Sequence, residues 1–549
     1  MSSEPTRALL RDYPPEELAE LLHRAVNLGL DFASGRARDD QVLRYASVTD
    51  LIQRFAAPLP EDGLSEDELL DALQEVASWS IAQSDPRYLA FPDTGDSVAG
   101  IAAEITAAFL NQNLIAFDRS APAGTVIEAQ LIAWLRELVG YETTPLSEYA
   151  GLQTLGGMWT SGGNMSNHVA MAVALATNYP EIRSSGLVGL RERPAVLLAR
   201  GVEHFSYLGA AQVLGLGSQG LIWANPTPDY TSDVAVIQQL LANPPENTRI
   251  FMVVGVAGNC RTTGLDDLTA LADACERHGA WFHVDACHGG SLLFSDKLRD
   301  LVAGIERADS VSLDPHKGLF VTYPSSYVLF RDPSTLARFA RYPDRVNDPG
   351  CLDLGLITPF YGSRGFESLK LWAFIRHQGR RGIARLVEAR HATFQQMVAL
   401  LERTGYFRVI GSSNFYRCAF VFCPEPVAAE IVRLRDEAGL HSELRELISR
   451  FTAAYCERLY RSGKVAFDLF ALQDLGNTLG LGTEHRYQVM GMCVGHPWID
   501  EGTQAEIEKS IHKTADEFVE AMMTALEDLE AHASSPRADR SDVSGPAGW

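Results

Sequence analysis

Lys317 stands in SLDPHKGLF, directly after an apolar run and flanked by Pro315 and Gly318. A lysine at the end of a core strand in an α/β sheet sits where such folds place ligands. Burial there is expected to lower its pKa toward a nucleophilic amine that can form a Schiff base with an aldehyde. Taken alone, Lys317 also reads as a lysine whose stem packs while its ammonium reaches water. Asp285 closes the run WFHVDA upstream. A carboxylate at a strand's C-terminal end can sit beneath a pyridine ring and keep its nitrogen protonated, and it can equally be a helix cap or turn residue. A third element is TSGGNMSNHVAMAVALA (160–176), a glycine-rich turn opening an apolar-striped helix. N–H groups freed at Gly162 and Gly163, with Ser161 and Asn164 side chains beside them, form an anion site suited to a phosphate, or simply a turn. His204, in VEHFSYLGAAQVLG, can stack on a cofactor ring or contact a substrate carboxylate, or serve as a satisfied core histidine. Phosphate turn, His204, Asp285 and Lys317 follow one another so that a parallel sheet would aim all four at one crevice. An aldehyde, a pyridine nitrogen and a phosphate are the three handles of pyridoxal 5'-phosphate.

These residues need a scaffold, and the texture of the chain supplies one. Leu18, Leu21, Leu22, Ala25, Val26 and Leu30 recur at helical spacing, and residues 65–83 repeat the pattern after the turn-rich stretch 58–63. From about residue 120 helical stretches alternate with short apolar runs: PAVLLA (194–199), RIFMVVGV (249–256), WFHVDA (281–286), DSVSL (309–313) and SSYVLF (325–330). That alternation predicts βαβ units and a largely parallel sheet over roughly 120–340. A helical stretch at 365–404 leads into strands at 416–422, 464–470 and 487–494, the pattern of a smaller α+β domain. Thr503 and Glu506 fit a capping box for a last helix striped by Ile507, Ile511, Ala515, Phe518, Met522, Leu526 and Leu529. The expected division is an N-terminal helical segment (1–115), a large cofactor-binding α/β domain (116–400), a small C-terminal α+β domain (401–532) and a disordered tail (533–549), the tail having too little apolar surface to pack.

Composition bounds the function. The 549 residues are 46% hydrophobic and 21% charged, which excludes a collagen-like or wholly disordered chain. The net charge of −23 repels phosphate backbones and anionic lipid, so nucleic acid and membrane are not expected partners. All eight cysteines lie beyond residue 259 with no CxxC pair, the pattern of reduced thiols in a cytoplasmic chain. No apolar run reaches about 18 residues, and the N-terminus has no signal-peptide core.

The same segments, in this order and spacing, resemble the group II pyridoxal-phosphate-dependent amino-acid decarboxylases, the family of the aromatic-amino-acid and glutamate enzymes. The likeness runs over about residues 80–500 and includes PRYLAF (86–91), NQN (111–113), SAPAGTVIEAQLIAWLRELVGY (120–141), TSGGNMSN (160–167), EHFSYLGAAQVLGLG (203–217), HVDACHGG (283–290), DPHKGL (314–319) and GSRGFESLKLWAFIRHQG (362–379). The resemblance implies a type I pyridoxal-phosphate (aspartate-aminotransferase-like) fold with a large seven-stranded sheet. It also implies a homodimer with shared active sites, the N-terminal segments packed across it. By position, Lys317 would form the internal aldimine and Asp285 would pair with the pyridine nitrogen. His204 would stack on the ring, Gly162, Gly163 and Asn164 would hold the phosphate, and His316 would contact the phosphate or substrate side. The stretch RYPDRVNDPGCLDLGL (341–356) falls where the family carries a mobile loop from the neighbouring subunit, with Tyr342 the nearest match to the loop's proton donor.

Several positions depart from the family pattern. Cys287 and His288 follow the Asp-Ala pair, Gly258-Asn259-Cys260 replaces a Gly-Thr-Thr, and Gly318 stands where a Trp often follows the lysine. Met490 falls where many members have an arginine, and Arg486 lies four residues earlier, so the residue that receives the substrate carboxylate is not matched. The expected activity is decarboxylation of an L-amino acid to its amine and carbon dioxide. A lyase, an aldol-cleaving or an oxidatively deaminating enzyme on the same fold, and a catalytically silent homologue, are the alternatives.

Overall fold

In the computed structural model, the described residues are 9–36, 41–339, 342–411 and 414–534. Among the described residues twelve strands occur in chain order: β1 (Tyr88–Leu89), β2 (Gly157–Thr160), β3 (Arg193–Ala199), β4 (Leu221–Ala224), β5 (Thr248–Val256), β6 (Trp281–Ala286), β7 (Ser310–Leu313), β8 (Ser326–Phe330), β9 (Phe407–Ile410), β10 (Arg417–Phe422), β11 (Ala466–Gln473) and β12 (Arg486–Cys493). The large sheet has seven strands in the order β2-β8-β7-β6-β5-β3-β4. Neighbours from β7 across to β4 pair parallel, while β8 runs antiparallel to both β7 and β2. Buried on both faces, the central strands are near-continuous apolar runs, as β5 (TRIFMVVGV) illustrates. The exceptions are informative. In β6 Phe282, Val284 and Ala286 join one core, and the two-residue period sends His283 and Asp285 to the other face. Register sets His283 opposite Ser310 and Asp285 opposite Ser312, so polar groups of two strands gather on one face.

The small sheet, β1-β11-β12-β10-β9, packs against the helices Glu425–Ala438, His441–Ser462 and Glu501–Ser534 around a core that includes Phe420, Phe422, Tyr455, Met490 and Ile511. The N-terminal segment contains the expected helices (Pro15–Ala33 and Glu66–Ser78) but is not purely helical. Its β1 pairs parallel with β11, tying the start of the chain to the C-terminal sheet.

Helix Ser368–Arg403 carries the chain from one core to the other: Leu371, Phe374 and Ile383 belong to the large domain's core, Phe394, Met397 and Leu401 to the small one's. It is interrupted at Gly379, where φ is +61°. Strands β2 and β4, four residues each, were not expected from the apolar pattern. At the last helix the capping expectation is corrected: the Thr503 N–H donates to Asp500 Oδ1 at 2.7 Å, and Glu506 points instead to Arg87 Nη1 at 3.4 Å. The expected tail lies, from residue 535, outside the described residues.

Candidate active site

A cavity of about 450 Å³ opens at the C-terminal ends of the parallel strands, a size suited to a cofactor with a small substrate. Lys317, Asp285, His204, Ser161, Gly162, Gly163, Asn164 and His316, eight of the nine residues given a site role from the sequence, line it. The ninth, Tyr342, does not. It is 60% exposed, at the start of the short helix Pro343–Val346, and stands outside the cavity of its own chain.

Lys317 follows β7 in a one-turn helix, Pro315–Gly318. Its Nζ is 2.9 Å from Asp314 Oδ2. Burial works against the ammonium, but Asp314 outweighs it, with further help from Cys287 and Asp93, and the lysine's pKa moves well above its ordinary value. The expectation of a depressed pKa is therefore corrected: a buried carboxylate three residues away keeps this amine protonated until a cofactor competes for it. Asp314 is itself held low, the pull of Lys317 and His316 and a 2.6 Å bond from Ser326 Oγ overcoming its burial. Gly318 stands where a Cβ would lie 2.7 Å from the Ser291 Cβ, so the departure from Trp has a steric reason.

Asp285 is oriented from the opposite face. Its Oδ2 accepts from Asn167 Nδ2 at 2.8 Å and from the Tyr207 hydroxyl at 3.4 Å, and its Oδ1 from the Cys287 N–H at 3.2 Å. Asn167 lies one turn into helix Gly163–Asn178, whose first turn is the glycine-rich segment. The first N–H groups of that helix have no intrahelical acceptor. A side chain at Gly163 would put Cβ 2.5 Å from Cys287 Sγ and 2.7 Å from Asp314 Oδ2, so only glycine lets the helix start this close to the floor of the site. Ser161 is fixed by Tyr361, whose hydroxyl is 3.0 Å from the Ser161 N and 2.8 Å from its Oγ. His204 receives the Ser206 N–H on Nδ1 at 3.3 Å, which leaves its ring proton on Nε2. Burial lowers its pKa although Asp285 opposes the shift, so the ring is a neutral, flat surface facing the cavity.

Asn167, Tyr207, Asp314, Tyr361 and Asp93 were not singled out from the sequence. Asn167, Tyr207 and Asp314 lie within the motifs that carry the resemblance, whereas Tyr361 and Asp93 reach the site through the fold. The wall residues that depart from the family pattern are quiet. Burial, then Asp285 and Asp314, push the Cys287 thiol far up, and burial with nearby cations keeps His288 neutral against the Tyr416 hydroxyl. Met490 is wholly buried in the small domain, and Arg486 lines a separate cavity with Arg200 and Arg261. Neither lines the Lys317 cavity.

The arrangement fits pyridoxal phosphate on its own terms: an amine, a carboxylate held by an amide, a neutral aromatic ring, and a helix start stripped of side chains. Among the described residues no cluster of His, Cys, Asp or Glu is placed to hold a metal ion, and no helix is long and apolar enough to cross a membrane.

Comparison with known proteins gives a consistent result. The profile of the pyridoxal-dependent decarboxylase conserved domain matches residues 49–422. Cysteine sulfinic acid decarboxylase of Mus musculus is 29% identical over 434 residues, covering 77% of this chain and 84% of that protein. Aromatic-L-amino-acid decarboxylase of Bacillus atrophaeus is 26% identical over 423 residues, covering 75% and 83%. The crystal structure of mouse CSAD superposes with a TM-score of 0.80 at 25% identity, over 92% of this chain and 99% of that one.

Proposed function

The chain belongs to the pyridoxal-dependent decarboxylase family, and from that premise we propose that it converts an L-amino acid to the corresponding amine and carbon dioxide at the Lys317 cavity. It is a pyridoxal-phosphate-dependent carboxy-lyase. The observation that carries the reading is the convergence of Lys317 and Asp285, from adjacent parallel strands, on one cavity with His204 and the Gly162–Asn164 turn. Bound there, pyridoxal phosphate supplies an electron sink for the pair of electrons left when the carboxylate departs.

The rest belongs to the protein. Lys317 would be the residue that holds the cofactor through its aldehyde, its amine standing in the cavity beside Asp314. Asp285, held by Asn167, keeps a proton on the pyridine nitrogen. His204 would cover the cofactor ring, Gly162, Gly163 and Asn164 would hold the phosphate, and His316 would contact the phosphate or substrate side. The net reaction takes up one proton at Cα as carbon dioxide leaves. We assign delivery of that proton to Tyr342 of a neighbouring subunit, because in its own chain this tyrosine is exposed and outside the cavity.

A homodimer is part of the proposal. Helix Val98–Leu110 leaves Val98, Ile101, Ile105, Phe109 and Leu110 all more than 40% exposed, an apolar face of the kind that marks a subunit interface. A cytoplasmic location accords with the cysteine usage. The relatives' names span acidic and aromatic substrates, so kinship leaves the side chain open.

Mass spectrometry of the cofactor-loaded protein with a pool of L-amino acids tests the reading. Loss of carbon dioxide from one amino acid is the expected result. The position of Tyr342, outside the cavity of its own chain, also supports a second reading: with no proton delivered to Cα, dioxygen would take the electron pair and, with one water, the products would be an aldehyde, carbon dioxide, ammonia and hydrogen peroxide. Ammonia together with carbon dioxide would favour that outcome, and no change in any amino acid would favour a silent homologue.

A further inference from the structure

Asp93 reaches the cavity from the N-terminal segment. It lies in FPDTGD (91–96), shortly after β1, and its side chain lines the wall beside Lys317 and His316. Its Oδ1 is buried without a hydrogen-bond partner. The facing nitrogen is His316 Nε2 at 3.8 Å, beyond hydrogen-bond range. The other ring nitrogen of His316 is engaged 2.7 Å from the Ser325 carbonyl. Lys317, the neighbouring cation, sits on Asp314, and it is the residue that turns to the cofactor. Burial raises the Asp93 pKa, with His316 and Lys317 opposing, and an oxygen left without a hydrogen bond at a cavity wall is costly unless something that enters the cavity satisfies it.

The charges around the cavity say what that would be. Among the described lining residues Lys317 is the one lysine or arginine, against three carboxylates, Asp93, Asp285 and Asp314. Asp314 answers Lys317, Asp285 answers the pyridine nitrogen, and a bound phosphate adds further negative charge at the Gly162–Asn164 end. An amino acid whose side chain ends in a carboxylate or sulfinate finds, among this chain's described lining residues, no lysine or arginine besides the Lys317 that serves the cofactor, and it faces Asp93. One whose side chain ends in an ammonium finds an unused acceptor.

Resting on the decarboxylase reading, we propose that Asp93 determines specificity for the substrate side chain and that the amino acid decarboxylated carries a distal ammonium group, of the diamino-acid class. The carboxylate binds the distal amine, while the α-amine engages the cofactor.

The test is carbon dioxide release by the cofactor-loaded full-length protein from L-lysine, L-ornithine and L-2,4-diaminobutyrate, set against L-glutamate, L-aspartate, L-cysteine sulfinate and L-phenylalanine. Removing one partner of a desolvated charge pair costs roughly 30-fold or more. A diamino acid should therefore exceed every acidic substrate in kcat/KM by at least about that factor. Asp93→Asn should lower kcat/KM for the diamino acid by a similar factor, with the loss falling on KM more than on kcat. Asp93→Ser provides a second variant, and the visible absorbance of bound cofactor verifies that each is loaded. Preference of the unsubstituted protein for an acidic or neutral amino acid overturns the assignment of Asp93 while leaving the decarboxylase reading intact. So does an equal fall for all substrates in both variants. Release of no carbon dioxide from any of them by loaded protein overturns both.

Discussion

Asn167 faces Asp285 with its amide nitrogen, 2.8 Å from Oδ2, and cannot turn the amide round. Its Oδ1 already accepts from Ser312 Oγ at 2.8 Å and from His283 Nε2 at 3.1 Å, while Nδ2 also reaches Ser206 Oγ at 3.0 Å. All of these side chains are buried. The orientation of the carboxylate proposed to meet the pyridine nitrogen is thus set by an asparagine from a different element, itself fixed by β6, β7 and the segment after His204.

Asn167→Asp should damage the chemical step while leaving the fold in place. The substitution removes the donor and sets a second carboxylate against Asp285, where two negative charges at contact distance cannot both be favourable. A kcat loss on the order of 10- to 100-fold at saturating cofactor is expected from disturbing a buried charged hydrogen bond. Steady-state kinetics with circular dichroism as the folding check measure it, and an unchanged kcat would remove Asn167 from the argument.

His283 gives the network a pH signature. Burial lowers its pKa to about 4, with Asp285 opposing the shift. Its Nε2 proton goes to Asn167, and Nδ1 meets Ser310 Oγ at 2.8 Å. Because the folded value lies below that of a free histidine, near 6.5, the unfolded chain binds a proton that the native protein refuses. The contribution of His283 to stability is therefore complete above about 6.5 and declines as the pH falls toward about 4. His283→Gln, which retains a donor for Asn167, should flatten this part of the stability profile. Urea titrations at several pH values show the difference, and identical slopes for the two proteins would contradict it.

Gly163→Ala tests the floor of the site. The added methyl would meet Cys287 Sγ at 2.5 Å and Asp314 Oδ2 at 2.7 Å, and neither has room to retreat because both are buried. Overpacking of this kind costs about 1–3 kcal/mol and displaces the helix start. The variant should melt earlier and gain less on addition of pyridoxal phosphate than the unsubstituted protein does. An undiminished cofactor-induced rise in Tm would show that the helix start does not hold the phosphate.

Much of this was legible in the chain, for identifiable reasons. Lys317, Asp285 and His204 each end or follow an apolar run, and Gly162-Gly163 precedes an apolar-striped helix, so local pattern alone sets them at strand ends and a helix start. The partners that orient them are another matter. His283 alternates with core residues inside β6 and looks like one of them, and only the register of β6 on β7 places it over Ser310. Asn167 and Asp314 lie in the motifs that were read, yet spacing says nothing of which neighbour a side chain will meet. Asp93 arrives from a segment that reads as helical overall, because a two-residue strand such as β1 leaves no periodic trace. The helix start shows the same limit: Thr503 and Asp500 are both competent caps by residue type, and Asp500 is the one that accepts, from the Thr503 N–H.

Lys317→Ala should abolish turnover, but its effect on the fold separates two roles. Asp314 is 3% exposed, and the lysine ammonium is what holds its carboxyl below the ordinary range against the cost of burial. Removing the lysine leaves that charge uncompensated, a loss of about 3 kcal/mol for a buried pair broken on one side. The stability the pair confers is present above the pKa of a free aspartate and disappears as the pH falls through the lowered folded value, so the deficit of Lys317→Ala should be greatest near neutrality and shrink in acid. Asp314→Asn in the same background removes the stranded charge and should restore most of the lost stability without restoring activity. Denaturation of cofactor-free protein at neutral and acid pH, alongside decarboxylation assays of both variants, measures the two effects separately. A single variant as stable as the unsubstituted protein at neutral pH would mean that Asp314 does not depend on Lys317, and full turnover by either variant would remove the lysine from the chemistry.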